Sequence, residues 1–151
     1  MSVWLHYWRP EDVDYFFTLS RFRVDCTGSD QSTFFNKYKK GDIVWFHSIL
    51  ENKQHILLGR IVLDTYLPKV EAGEFVGRSF AAKHKFDFYW VAEKPWNKLK
   101  DIPLGDVPLK LDFMSNKRLP TNYNGQHFQA IRELTEQDHA QIQDLWDIWT
   151  E

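Results

Sequence analysis

Apolar residues along this chain alternate in twos more often than they recur in threes and fours, which predicts a fold built mainly on sheet. The clearest stretch follows Gly41-Asp42 and runs Ile43-Val44-Trp45-Phe46-His47-Ser48-Ile49. Successive side chains on a strand point to opposite faces. Ile43, Trp45 and His47 therefore share one face, and Val44, Phe46 and Ser48 the other. Residues 3–8, Val-Trp-Leu-His-Tyr-Trp, read as a first strand, with His6 and Trp8 on one face. Gln54–Leu63 pairs back onto Ile43–Ile49 across a turn at Glu51-Asn52-Lys53, and Gly59 inside it marks a close approach of backbone or ligand. Phe86, Phe88 and Trp90 alternate with Asp87, Tyr89 and Val91 in a strand that Pro95 ends. Leu109, Leu111 and Phe113 alternate with Lys110 and Asp112, which predicts a half-exposed strand from Pro108. Asn124-Gly125 is a turn signal, with a strand expected over His127–Arg132.

Helical spacing is confined to short segments. Arg9-Pro10-Glu11-Asp12 reads as a helix start, with proline in the first turn and acids at the positive end of the dipole; Val13, Phe16 and Phe17 face inward. Phe34, Phe35 and Tyr38 predict a second brief helix before Gly41. The longest begins with a capping pattern, Thr135 and Asp138, and carries the stripe Ile142, Leu145, Trp146 and Trp149, expected to dock on the protein's own core. Residues 21–31, with Thr27-Gly28-Ser29-Asp30, predict a loop, and 66–85 a long excursion. Together these elements predict a single α+β domain over 1–151, a mostly antiparallel sheet of about five to seven strands with short flanking helices and a C-terminal helix. Closure into a barrel removes edges that aromatic strands could not safely expose.

Composition narrows the class. The 151 residues are 43% hydrophobic, which excludes a disordered chain, and 17% aromatic with seven Trp, which asks whether every ring serves the core. The net charge of −2 gives no global steering to nucleic acid, although residues 78–118 hold nine Lys/Arg against five acids and 119–151 one Arg against six. Cys26 alone leaves no disulfide within the chain and no thiolate cluster. The N-terminus lacks the pattern of a signal peptide and no apolar run is long enough to span a membrane, so a cytoplasmic location is expected.

Enzyme signatures are missing. The sequence has no Gly-rich phosphate loop, no His-Glu-x-x-His and no Gly-x-Ser-x-Gly, and its six histidines show no metal-ligand spacing. Cys26 beside Asp25 is a poor nucleophile, because a neighbouring carboxylate disfavours the thiolate. A binding protein without cofactor or metal is expected instead. Candidate ligand groups are His6 and Trp8, then Trp45, Phe46, His47 and Ser48, and finally Gln126, His127 and Phe128. Flat rings beside a few polar tips suit a nucleobase, whose faces stack and whose edge hydrogen-bonds.

These residues sit in segments that resemble the EVE family of the PUA-like superfamily. The resemblance runs through Trp4–Glu11, Gly41–Ser48, Leu58-Gly59-Arg60-Ile61-Val62, Ile102-Pro103-Leu104 and His127–Asp138, in order and over nearly the whole chain. It implies a PUA-like barrel that reads a modified base, modified cytosine in DNA, in an aromatic-lined pocket. Phe46-His47-Ser48 match the family's pocket wall, His6 and Trp8 its opening strand, and Gln126-His127-Phe128 its late pocket segment. Two departures stand out: a Lys-Ser-Glu-Pro-like opening is here Tyr7-Trp8-Arg9-Pro10, and a Gly-Val-Arg-Asn-like segment is echoed by Phe22-Arg23-Val24-Asp25, which brings Phe22 and Arg23 among the candidate contacts. The implied partner is nucleic acid, modified DNA or RNA, with a separate effector protein. The alternatives are an RNA-binding module, a small-molecule nucleotide sensor and a protein-interaction module.

Overall fold

A computed structural model describes residues 1–11, 13, 23–24, 26–29, 36–68, 88–92 and 97–150. Its frame is a sheet of β1 (Val3–Tyr7), β3 (Cys26–Ser29), β4 (Ile43–Ile49), β5 (His55–Pro68), β6 (Phe88–Ala92), β8 (Ile102–Pro103) and β9 (Arg132–Leu134), in the order β3-β6-β5-β4-β1-β9 with β8 on β5. β2 (Arg23–Val24) and β7 (Asn97–Lys98) form a separate antiparallel pair. Every pairing in the main sheet is antiparallel except that of β1 with β4. A short helix α1 (Val107–Lys110), a 3₁₀ turn (Gly125–Phe128) and the helix α2 (Glu136–Thr150) complete the described elements.

β4 forms because β-branched and aromatic residues alternate over seven positions, and it is central because both its faces are apolar. Residues 43–48 are all buried. The hairpin to β5 forms across the turn at residues 51–53, with Ile49 opposite His55 and Ile43 opposite Val62. Phe46 pairs with Gly59 and His47 with Leu57, so Leu58 is the extra residue of a bulge; a second lies at Asp64 in the pairing of β5 with β6. Bulges bend and twist the strand that carries them.

The bending brings the sheet round upon itself. β3 and β1 are four strand spacings apart, about 19 Å if the sheet were flat. Yet Thr27 Oγ1 on β3 lies 2.9 Å from His6 Nδ1 on β1. The enclosed face collects Trp4, Trp8, Val44, Phe46, Leu58, Leu63 and Tyr89 into one core. Val3, Leu5, Ile43, Trp45 and Leu57 point the other way and form a second core with Leu104, Leu111, Phe113, Phe128 and Ile142.

α2 is held on that second face by its own N-terminus. Asp138 is buried, and its carboxylate accepts the backbone N–H groups of Asp112 (2.9 Å), Phe113 (2.9 Å) and Thr135 (3.0 Å), while Thr135 Oγ1 accepts the Asp138 N–H at 3.0 Å. The expected capping pair thus also clamps a neighbouring loop. Trp45 Nε1 donates to His139 Nδ1 at 3.0 Å, Trp45 meets Trp146 edge-on at 5.7 Å, and Arg60 Nη1 donates to Gln143 Oε1 at 2.9 Å. Ile142, Leu145 and Trp146 dock, but Trp149 is 56% exposed because the helix runs past the sheet.

Several expectations are corrected. Cys26–Ser29 is strand, because pairing with residues 88–91 overrides the turn preference of Gly28 and Ser29. Residues 66–68 continue β5. The half-exposed strand expected from Pro108 is instead α1 with Pro108 in its first turn, followed by Phe113 at φ 57°, so Leu111 and Phe113 are both buried. The strand expected over His127–Arg132 is the 3₁₀ turn followed by β9, and Asn124 caps that turn. Asn36–Lys40 is turn and irregular chain; Tyr38 is buried edge-on to Trp4 at 5.2 Å. Pro10, Glu11 and Val13 are helical as expected. Phe16, Phe17, Phe34, Phe35, Phe86 and Pro95 lie outside the described residues, as does 69–85.

Replacing Asp138 by alanine removes the acceptor of three backbone N–H groups. It should lower the unfolding free energy by about 2–4 kcal/mol. Urea denaturation checks this; a loss under about 0.5 kcal/mol would show that water replaces the clamp.

Candidate functional site

The parallel pairing of β1 with β4 sets Trp4 beside Val44 and His6 beside Phe46 on the enclosed face, and Leu5 beside Trp45 and Tyr7 beside His47 on the other. The sequence-predicted site residues are therefore divided by the sheet.

On the enclosed face, Trp8 and His6 pack against Phe46, with ring centroids 5.0 and 5.6 Å away. The Trp8 backbone N–H donates to the His47 carbonyl at 2.8 Å, which carries the ladder to the end of the strand and fixes the indole there. Desolvation lowers the His6 imidazole to about 4, so at neutral pH it is uncharged and shares one hydrogen bond with the Thr27 hydroxyl. Ser48 follows on the same face opposite Ile56, which belongs to the enclosed core. Its hydroxyl is fully buried and has no hydrogen-bond partner among the described residues. A buried hydroxyl left unmatched costs about 1–3 kcal/mol, so a polar atom delivered to it by a ligand would recover that cost.

The opposite face holds a polar chain that is buried at His47 and His55 and half-buried at Tyr123. His47 Nδ1 lies 2.7 Å from His55 Nε2, and His55 Nδ1 lies 2.8 Å from the Tyr123 hydroxyl. Phe128 stands edge-on to His47 at 4.6 Å and to His55 at 5.5 Å, and Tyr7 lies across His47 at 5.4 Å. With one proton on each ring, His47 Nδ1–H donates to His55 Nε2 and His55 Nδ1–H donates to Tyr123. That assignment leaves His47 Nε2, which has no partner among the described residues, as a bare acceptor; the reverse one would bury an unpaired N–H, the rarer and costlier defect. Desolvation lowers His55 to about 3, and desolvation with the proximity of His55 and His6 lowers His47 as well. Desolvation raises the Tyr123 phenol. All three groups are thus neutral near pH 7. The packing is close: a Cβ on Gly125 would stand 2.7 Å from the Tyr7 hydroxyl.

His6, Trp8, Phe46 and Ser48 are thus brought together, whereas His47 and Phe128 join Tyr7, His55 and Tyr123 behind the sheet. Trp45 lies fully buried under α2. Gln126 and His127 are exposed; the Gln126 N–H donates to Asn124 Oδ1 and the Asn124 N–H to His127 Nδ1, which makes this pair part of a cap. Arg23 is in β2, and Phe22 lies outside the described residues. Thr27 and His55 were missed. Thr27 sat in a segment read as loop. His55 could have been found, because the hairpin register makes it a same-face diagonal neighbour of His47.

No family model matches the chain, and no curated protein matches it. Solved structures do. The N-terminal domain of Thermococcus gammatolerans McrB, bound to m5C DNA, superposes with a TM-score of 0.55 at 12% identity, covering 100% of both chains. The ASCH protein of Zymomonas mobilis superposes at 0.51 with 11% identity, covering 95% of this chain and 94% of that one.

The buried imidazoles make stability depend on pH. Their folded values lie below the unfolded value near 6.5, so between the two the unfolded chain binds more protons. Their contribution is whole above about pH 6.5 and is lost as pH falls towards about 3–4, at up to about 1.4 kcal/mol per pH unit for each ring. Urea titrations from pH 7 to pH 4 should show this fall, and His55→Gln should flatten it; an equal slope in both proteins would exclude His55 as a contributor. Sheet order, bulges, capped C-terminal helix and whole-chain superposition agree that this protein has the PUA-like fold.

Proposed function

We propose that this protein is a nucleic-acid-binding module that reads a modified base, a modified cytosine in DNA, on the enclosed face beside Trp8 and Ser48, and that it acts as a binder rather than an enzyme. The observation that carries this is the fully buried, unpartnered Ser48 hydroxyl beside the rings of the strand end. A base swung out of its stack costs a few kcal/mol and regains about 1–3 kcal/mol on an aromatic ring. A methyl that fills an apolar niche adds about 0.8 kcal/mol, and the fit around it sets the discrimination. The neutral His6–Thr27 pair supports the same reading, since it offers hydrogen-bonding capacity without net charge. The likeness in fold to a domain bound to m5C DNA favours DNA over the RNA alternative.

Titration of matched oligonucleotides with and without 5-methylcytosine, in DNA and RNA forms, tests the reading. Tighter binding of the modified DNA is expected, and Ser48→Ala should weaken it by about 3- to 10-fold. That variant removes an unmatched hydroxyl, so its thermal stability should equal or exceed that of the parent. Equal affinity for modified and unmodified DNA would overturn the reading, as would a Ser48→Ala protein that unfolds yet discriminates as before.

A further inference from the structure

At the opposite end of β1 an open groove of about 640 Å³ has Ser2, Trp4, Lys37, Lys39, Arg132 and Glu133 among its lining residues, with Ile131. It is a built feature rather than a gap between mobile side chains. The buried carboxylate of Asp42 holds three of its walls, accepting the Ser2 backbone N–H at 2.9 Å, the Trp4 indole N–H at 3.1 Å and the Lys39 backbone N–H at 2.9 Å. Arg132 is braced flat over the Phe113 ring, its guanidinium carbon 3.6 Å from the ring centroid, while Nη2 donates to the Lys117 carbonyl and to Ser115 Oγ. Nε–H and Nη1 keep three of the five guanidinium donors out of those bonds.

The groove's charge is unbalanced: Lys37, Lys39 and Arg132 stand against Glu133 and the buried Asp42 carboxylate behind the wall, in a molecule whose net charge is −2. Some exposed cations elsewhere pair locally, as Lys110 does with Asp106 (3.2 Å) and Arg118 with Asp112 (2.7 Å). Lys37 and Lys39 are exposed and have no carboxylate partner among the described residues. Like charges two residues apart on a braced turn suit a polyanion whose charges repeat. An apolar floor of Trp4 and Ile131 suits the sugars between those charges.

We infer that this groove binds the phosphodiester backbone of the nucleic acid whose base is read at the other end of the strand, an inference that rests on the proposed function. Ser2 and Trp8 are six residues apart on an extended segment, about 20 Å. At 3.4 Å per step that spans about six nucleotides of a duplex. The groove therefore adds affinity without sequence information, and only for ligands that reach about six nucleotides past the modified base.

The test is the salt dependence of binding by the full chain carrying Lys37→Ala and Lys39→Ala together, with Lys110→Ala as control. On a duplex with about ten base pairs flanking a central 5-methylcytosine, the slope of log affinity against log salt should fall by about 1.8, or about 1.4 on a single strand. The ratio of affinities for modified and unmodified DNA should not change. On an oligonucleotide with two flanking nucleotides the double variant should bind like the parent. An unmoved slope on the long duplex, or an equal loss on the short ligand, overturns the groove while leaving the base reading intact. A loss of discrimination in the double variant also overturns it, since the groove would then be part of base reading. Absence of binding to any oligonucleotide overturns both.

Discussion

The parallel pairing of β1 with β4 is the constraint on which the molecule depends. Parallel register sets residues of the two strands side by side on each face, and β4, buried on both faces, makes each contact a core contact. Asp42 fixes where that register begins, since its carboxylate binds the first residue before β1, a ring of β1 and the turn before β4. A slip of one residue would carry His47 into the enclosed core and Phe46 out among the polar groups behind the sheet. The bulges on β5 then bend the remaining strands round the enclosed face, as the His6–Thr27 hydrogen bond records.

The two faces solve the problem of buried polar groups differently. Behind the sheet, His47, His55 and Tyr123 hydrogen-bond one another in a chain that leaves His47 Nε2 without a partner among the described residues, and Phe128 and Tyr7 pack against it. That region is neutral near pH 7 and packed against the 3₁₀ turn. On the enclosed face His6 and Thr27 share one hydrogen bond, the Ser48 hydroxyl has no partner among the described residues, and the Trp8 ring lies where the ladder ends. An unmatched hydroxyl beside an aromatic ring at a strand end is the pairing on which the proposed base site rests.

The long strands and the last helix were legible because their signals are periodic and their burial uniform. Ile43–Ile49, its hairpin partner and the Thr135–Asp138 cap appear where alternation and capping put them. Cys26–Ser29 was not legible, since a strand built on Thr and Gly exists only through pairing with β6. Leu109–Phe113 misled because alternation over five residues is short enough for Pro108 and a left-handed Phe113 to turn it into helix and bend. For the candidate site, which face each residue occupies was readable from period two, and it separates Trp8, Phe46 and Ser48 from His47. What could not be read was that Phe128 crosses behind the sheet, because a 3₁₀ turn replaces the expected strand and shifts its side chains.

The central claim is that the base sits on the enclosed face, between the Trp8 ring and the Ser48 hydroxyl, and the most direct measurement is a crystal structure with a duplex containing one 5-methylcytosine. The account predicts that cytosine extruded, with one of its polar atoms within hydrogen-bond distance of Ser48 Oγ and its ring against Trp8. A base that stays stacked in the duplex, or one lodged against Tyr7 and His47 behind the sheet, would contradict it.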